Sequence, residues 1–69
     1  MNKHEMTLAL SAARVSSLQT MLTYHIGRLQ LGKVSINRMR AELARDWRRI
    51  EANYIRALAA LEYEERSES

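Results

Sequence analysis

No proline interrupts this chain, and Gly27 and Gly32 are its only glycines. Alanine, leucine, arginine and glutamate dominate the remainder, so long helices are favoured and only the glycines break them. Phenylalanine is absent and valine is scarce, which disfavours strands. Sixty-nine residues make one domain at most. The expected class is all-α.

Apolar periodicity places two helices. Leu8, Val15, Leu22 and Leu29 recur at intervals of seven, with Ala12, Leu18 and Ile26 on the same side. At about 100° per residue these seven fall on one broad face, as a packed helix requires. A second series, Ile36, Met39, Leu43, Trp47, Ile50, Tyr54, Ala57, Leu58 and Leu61, also keeps to one face. The two stripes are expected to face each other as the core.

Leu31-Gly32-Lys33-Val34-Ser35 lies between them. Gly32 suits the left-handed position just past a helix end, and Ser35 suits the N-cap of the next helix. Val34 and Met39 are spaced for a hydrophobic staple, and Asn2 with Glu5 resembles a capping box. The sequence therefore predicts helices near 3–31 and 36–64, a turn at 32–35 and a frayed acidic tail at 65–69. Each helix is about 43 Å long. So short a connection makes the helices antiparallel neighbours in a two-helix hairpin. Gly27 is the point where the first helix is expected to kink or end.

A domain this small buries only about 60% of its unfolded surface and usually needs a disulfide, a metal or a partner. Cysteine is absent, and His4 and His25 lie too far apart in the chain to form a ligand pair. The expectation is no metal and no cofactor, and a protein as the missing stabiliser. A second copy forming a dimeric four-helix bundle is expected when the chain is alone. The first residues do not resemble a secretion signal, and no apolar run approaches the roughly 18 residues of a membrane span. The chain is expected to be cytoplasmic and to bind no membrane.

Two surfaces remain as candidate sites. From Met6 to Gly27 the only charged side chain is Arg14. The face of the first helix away from its stripe carries Leu10, Ala13, Ser17, Thr20, Met21 and Tyr24, and a solvated face normally carries charges. Leu10, Ser17, Met21 and Tyr24 are the expected partner-binding residues. On the second helix Arg38, Arg45, Arg49 and Arg56 share the outer face, with Arg40 and Arg48 at its flanks. Over residues 33–56, Lys33 and six arginines stand against Glu42, Asp46 and Glu51, a net +4. Such a row can follow a nucleic-acid backbone. It can equally be a solvated face with Glu42–Arg45 and Asp46–Arg49 pairs. Those acids are expected to lie off the packed stripe, Trp47 and Tyr54 in it, and His25 at its edge as a packing residue.

Catalysis needs an acid–base pair or nucleophile oriented inside a pocket. No such constellation is legible, and an enzyme is not expected. Length, hairpin layout and the Leu18–Leu29 segment leading into the turn resemble the small co-chaperones of bacterial type III secretion needle subunits. The likeness spans roughly Met6 to Glu64 and has no diagnostic motif, so it transfers no individual residue. It implies a hairpin that pairs with a larger helical-repeat chaperone and keeps the needle subunit from polymerising. The turn and the acids after it are also similar to one hairpin of outer-membrane efflux channels, far longer secreted proteins, a likeness that long antiparallel hairpins share. Two other readings stay open: a small regulator, of phage origin for instance, that binds and inhibits a host protein, and a dimeric nucleic-acid-binding bundle using the arginine row.

Overall fold

The computed structural model describes the backbone of residues 2–68 and the side chains of residues 2–64. Two helices, α1 (Lys3–Gln30) and α2 (Ile36–Glu68), pack side by side as an all-α antiparallel hairpin. The helix ends follow from local chemistry. Asn2 caps α1: its side-chain oxygen accepts from the Glu5 backbone N–H at 2.8 Å, and its amide donates to the Glu5 carboxylate at 3.4 Å. Ser35 caps α2 by accepting from the Arg38 backbone N–H at 3.2 Å.

The turn is a Schellman closure. The Lys33 N–H donates to the Arg28 carbonyl at 3.1 Å, and the Gly32 N–H donates to the Leu29 carbonyl at 3.0 Å. Gly32 holds φ +70°, the left-handed conformation this closure requires. Gly27, where the sequence predicts a kink or an end, does not end α1, which runs on to Gln30. The expected end of α2 near Glu64 lies short of the observed one at Glu68, and Ser69 is outside the described residues.

The hairpin is one layer thick. Its Cα extents are 54 × 18 × 9 Å, and its radius of gyration is 16.0 Å. A compact domain of this length has about 11 Å. The accessible surface is 5526 Å². A typical folded monomer of 8.0 kDa exposes about 4,450 Å². On the order of 1,000 Å² that a globular fold would cover is therefore open here. Among the described residues the buried apolar side chains are Met21 and Leu61, and the buried polar one is His25.

The two glycines should respond oppositely to alanine. A methyl at Gly27 meets nothing within 4 Å, and the backbone there is ordinary helix. Gly27→Ala should raise stability by roughly 0.5–1 kcal/mol, whereas Gly32→Ala should lower it by about 1 kcal/mol. Thermal melts of the two variants against the parent check both signs.

Candidate interaction surface

The first expectation to fail is the rotation of α1. Leu8, Val15 and Ile26, assigned by periodicity to the core, are 57, 52 and 45% exposed, and Ala12 is exposed with them. The line of α1 that meets α2 runs instead through Arg14, Met21, His25 and Arg28. Three of its members are basic or titratable, and each finds an acid. The Arg14 Nε donates to Glu51 at 2.7 Å, and the Arg28 Nη1 donates to Glu42 at 2.7 Å. The His25 Nε2 meets the Asp46 carboxylate at 2.8 Å. Ser11 and Tyr54 join their hydroxyls at 3.3 Å further along the same seam.

The physical cause is the cost of stranding charge. Glu42, Asp46 and Glu51 are half-buried at the seam, not solvated outside it as the sequence suggests. A partly desolvated carboxylate without a partner is expensive, so the rotation that supplies cations wins over the one that packs the heptad leucines. Glu42 bonds Arg28 and Arg38 where a pair with Arg45 was expected; the Asp46–Arg49 pair forms at 3.7 Å. Spacings of 11 and 3 put Arg14, His25 and Arg28 on one helix face, but that this face meets the acids of α2 follows from the tertiary structure.

His25 is the most buried of these groups, 2% exposed, where an edge position was expected. Its ring lies edge-on to Tyr24, with centroids 5.1 Å apart. Its Nδ1 has no hydrogen-bond partner and stands 4.0 Å from the Glu42 carboxylate. Arginines cover two aromatic faces, Arg14 on Tyr54 at 4.9 Å and Arg28 on Tyr24 at 5.6 Å. Glu51 at the Arg14 side chain raises that guanidinium further above its ordinary value.

The two broad sides of the layer differ as a result. Seen at about 100° per residue, Leu8, Val15, Leu22 and Ile26 sit about a quarter turn from the Met21–His25 line. Trp47, Ile55 and Leu58 sit about a quarter turn from the Ile50–Leu61 line of α2, in the same sense. In an antiparallel pair, equal turns of the same sense lead to the same side of the layer. That side therefore carries large apolar side chains along both helices, with Ile36 exposed at its turn end and with Arg40, Glu51 and Glu62 of α2 set among them. The other side is grooved. Its clefts bring Ser17, Thr20 and Tyr24 beside Asp46, Arg49 and Asn53, and Met6 and Leu10 beside Ala57 and Leu61.

The expected partner-binding set divides accordingly. Met21 is buried against α2, where a free face was expected, because it lies on the same line as His25. Leu10 is half-buried in a cleft, and Ser17 and Tyr24 are exposed on the grooved side. Trp47, expected in the core, is 39% exposed on the apolar face. Of the arginine row, Arg38 bonds Glu42, Arg49 pairs with Asp46, and Arg56 bonds Asn53 and the Ala52 carbonyl; Arg45 lies exposed along the same outer edge of α2. Among the described residues no group of three or more His, Cys, Asp or Glu side chains is placed to hold a metal ion, and no helix is long and apolar enough to cross a membrane. Comparison with known protein families, with curated proteins and with solved structures finds no match.

Two measurements test the seam. Met21→Ala removes a buried side chain and should cost roughly 2–4 kcal/mol in denaturant titration, while Tyr24→Ala, on an exposed ring, should cost less. The second is acid sensitivity. Hydrogen bonding from Arg38, with Arg28 beside it, holds the Glu42 carboxyl below its ordinary value. The bond to His25, with Arg49 and Arg45 nearby, does the same for Asp46. Both acids bind protons less tightly folded than unfolded. Their contribution is complete above the unfolded carboxylate values, about pH 4, and is lost as pH falls through the lower folded values. The thermal midpoint should drop in that window, and should drop less in a Glu42→Gln/Asp46→Asn variant. Equal acid losses in the two proteins would mean that neither carboxylate is held by the seam.

Proposed function

We propose that this chain is a non-catalytic protein-binding hairpin whose working surface is the apolar face of Leu8, Val15, Leu22, Ile26, Trp47 and Ile55. One observation carries the reading: large apolar side chains of both helices, from Leu8 and Ile55 to Ile26 and Ile36, lie open on the side opposite the clefts. Leaving them in water forgoes burial worth roughly 25 cal/mol per Å². Contiguous apolar faces of this extent are used as protein interfaces. A layer two helices wide is matched best by other helices, which seat their ridges in its grooves. The resemblance to type III secretion co-chaperones names the partner to test first, a helical-repeat chaperone with its needle subunit, in the cytoplasm. A host protein bound and inhibited by the hairpin would use the same face.

The nucleic-acid reading rests on the arginine edge of α2. Three of its four residues already hold intramolecular partners, and a phosphate would have to compete with them. That favours the apolar face.

The deciding experiment uses tagged wild-type chain co-expressed with the candidate chaperone and needle subunit, followed by titration of the purified components. Val15→Glu should reduce affinity by at least about tenfold, since it places a charge in an apolar interface. Arg45→Glu/Arg49→Glu should change it only modestly, through association rate. Binding that survives Val15→Glu, disappears with the arginine reversal and falls steeply with salt would transfer the function to the arginine edge. Anisotropy with a labelled oligonucleotide would then identify nucleic acid or exclude it.

A further inference from the structure

We infer that the free chain closes its apolar face on a second copy of itself, turn over open end, as a two-fold symmetric four-helix bundle. The inference rests on the reading of that face as an interface and adds its occupant when no other protein is bound. Area is the first argument. The surface in excess of a typical monomer is on the order of 1,000 Å². A stable interface takes about 800 Å² from each partner. Stacking a second layer also supplies the core that Met21 and Leu61 alone do not make.

Charge selects the orientation. At the turn end Arg28, Lys33, Arg38 and Arg40 stand against Glu42 alone. At the open end, among the described side chains, Glu5, Glu62 and Glu64 stand against Lys3. Stacking turn on turn would set like charges together, whereas turn on open end sets cations on carboxylates.

Register then follows from the seam. The Arg14–Glu51 and His25–Asp46 pairs put Ser17 of α1 level with Glu51 of α2, the middle of the paired length. A two-fold axis crossing the helices at that level lays α1 on α1 and α2 on α2. Arg40 then faces Glu62 of the second copy, Trp47 faces Ile55, and Leu8 faces Ile26. Glu51 approaches its own mate at the axis, each held by its Arg14. One patch is thus complementary to itself, as a two-fold interface demands.

The absence of native cysteine makes the test clean. Arg40 and Glu62 lie 22 positions apart on one straight helix, about 33 Å, so a disulfide between them must join two chains. Under mild oxidation Arg40→Cys/Glu62→Cys should give a covalent dimer that reductant reverses, while Arg40→Cys alone should give none. Sedimentation of the wild type at micromolar concentration should show a dimer. Val15→Glu should shift it to monomer, with helix content checked by circular dichroism. Emission of the single tryptophan, Trp47, should move to longer wavelength on dilution as the dimer parts. Ile55→Glu is the second variant should Val15→Glu fail to fold. A folded wild-type monomer across that range overturns the dimer and leaves the proposed function standing. Cross-linking by Arg40→Cys alone, without the pair, overturns the orientation. A cross-linked dimer whose partner protein still binds Val15→Glu supports the dimer and removes the proposed function from this face.

Discussion

Four polar contacts between the helices, three of them between a basic side chain and an acid, decide what the rest of this molecule looks like. Arg14 with Glu51, His25 with Asp46, and Arg28 with Glu42 occupy positions where a two-helix core would ordinarily hold leucine. Salt bridges at this level of exposure add little net stability. Their influence is on specificity. Another rotation of α1 would take Arg14, His25 and Arg28 away from these half-buried carboxylates, leaving Glu51 without its Arg14 and Glu42 and Asp46 to the exposed arginines of their own helix. The penalty for stranding a half-buried acid is larger than the gain from a pair. A weak interaction thus fixes a geometry because its absence is costly.

Leu8, Val15 and Ile26 of α1 are turned outward by that choice while Leu18, Leu22 and Leu29 stay half-buried, and the displacement gives the layer two unlike sides. One is grooved and mixed, with Tyr24, Asp46, Arg49 and Asn53 around its clefts. The other is apolar from Leu8 to Ile36. A single layer of two helices cannot cover its own faces, which is why the radius of gyration stays far above that of a compact domain. Small helical proteins resolve this with a second layer, and the charge difference between the turn and the open end says how such a layer would be laid. The same face can serve a second copy and another protein only by exchange. The free energy of the self-pairing would then be subtracted from any partner's affinity.

The ends of the helices are settled by short-range chemistry that was readable from the sequence. Asn2 and Glu5 cap α1, Gly32 closes it in the left-handed conformation, and Ser35 opens α2. Each device involves residues within a few positions of one another, so spacing alone was enough. The same holds for the outer arginines of α2, whose 3.6-residue period needs no knowledge of a neighbour. Gly27 does not end α1, because helix propensity is a small term. About 1 kcal/mol per glycine is overridden when both flanking turns are held against α2.

What the sequence by itself determined, then, is the all-α class, the hairpin, the caps and the turn. Low glycine, absent proline and local capping leave the backbone little other choice. What only the tertiary structure decided is the rotation of α1 about its own axis, and with it the identity of the open surface. From Met6 to Gly27 that helix is so nearly uncharged that its periodicity allows a broad range of faces toward α2. The choice among them depends on acids 14 to 37 positions away in the chain. Met21 moved from the expected binding face into the seam, and Val15 moved out of the expected core, as Arg14, His25 and Arg28 turned to the half-buried carboxylates of α2.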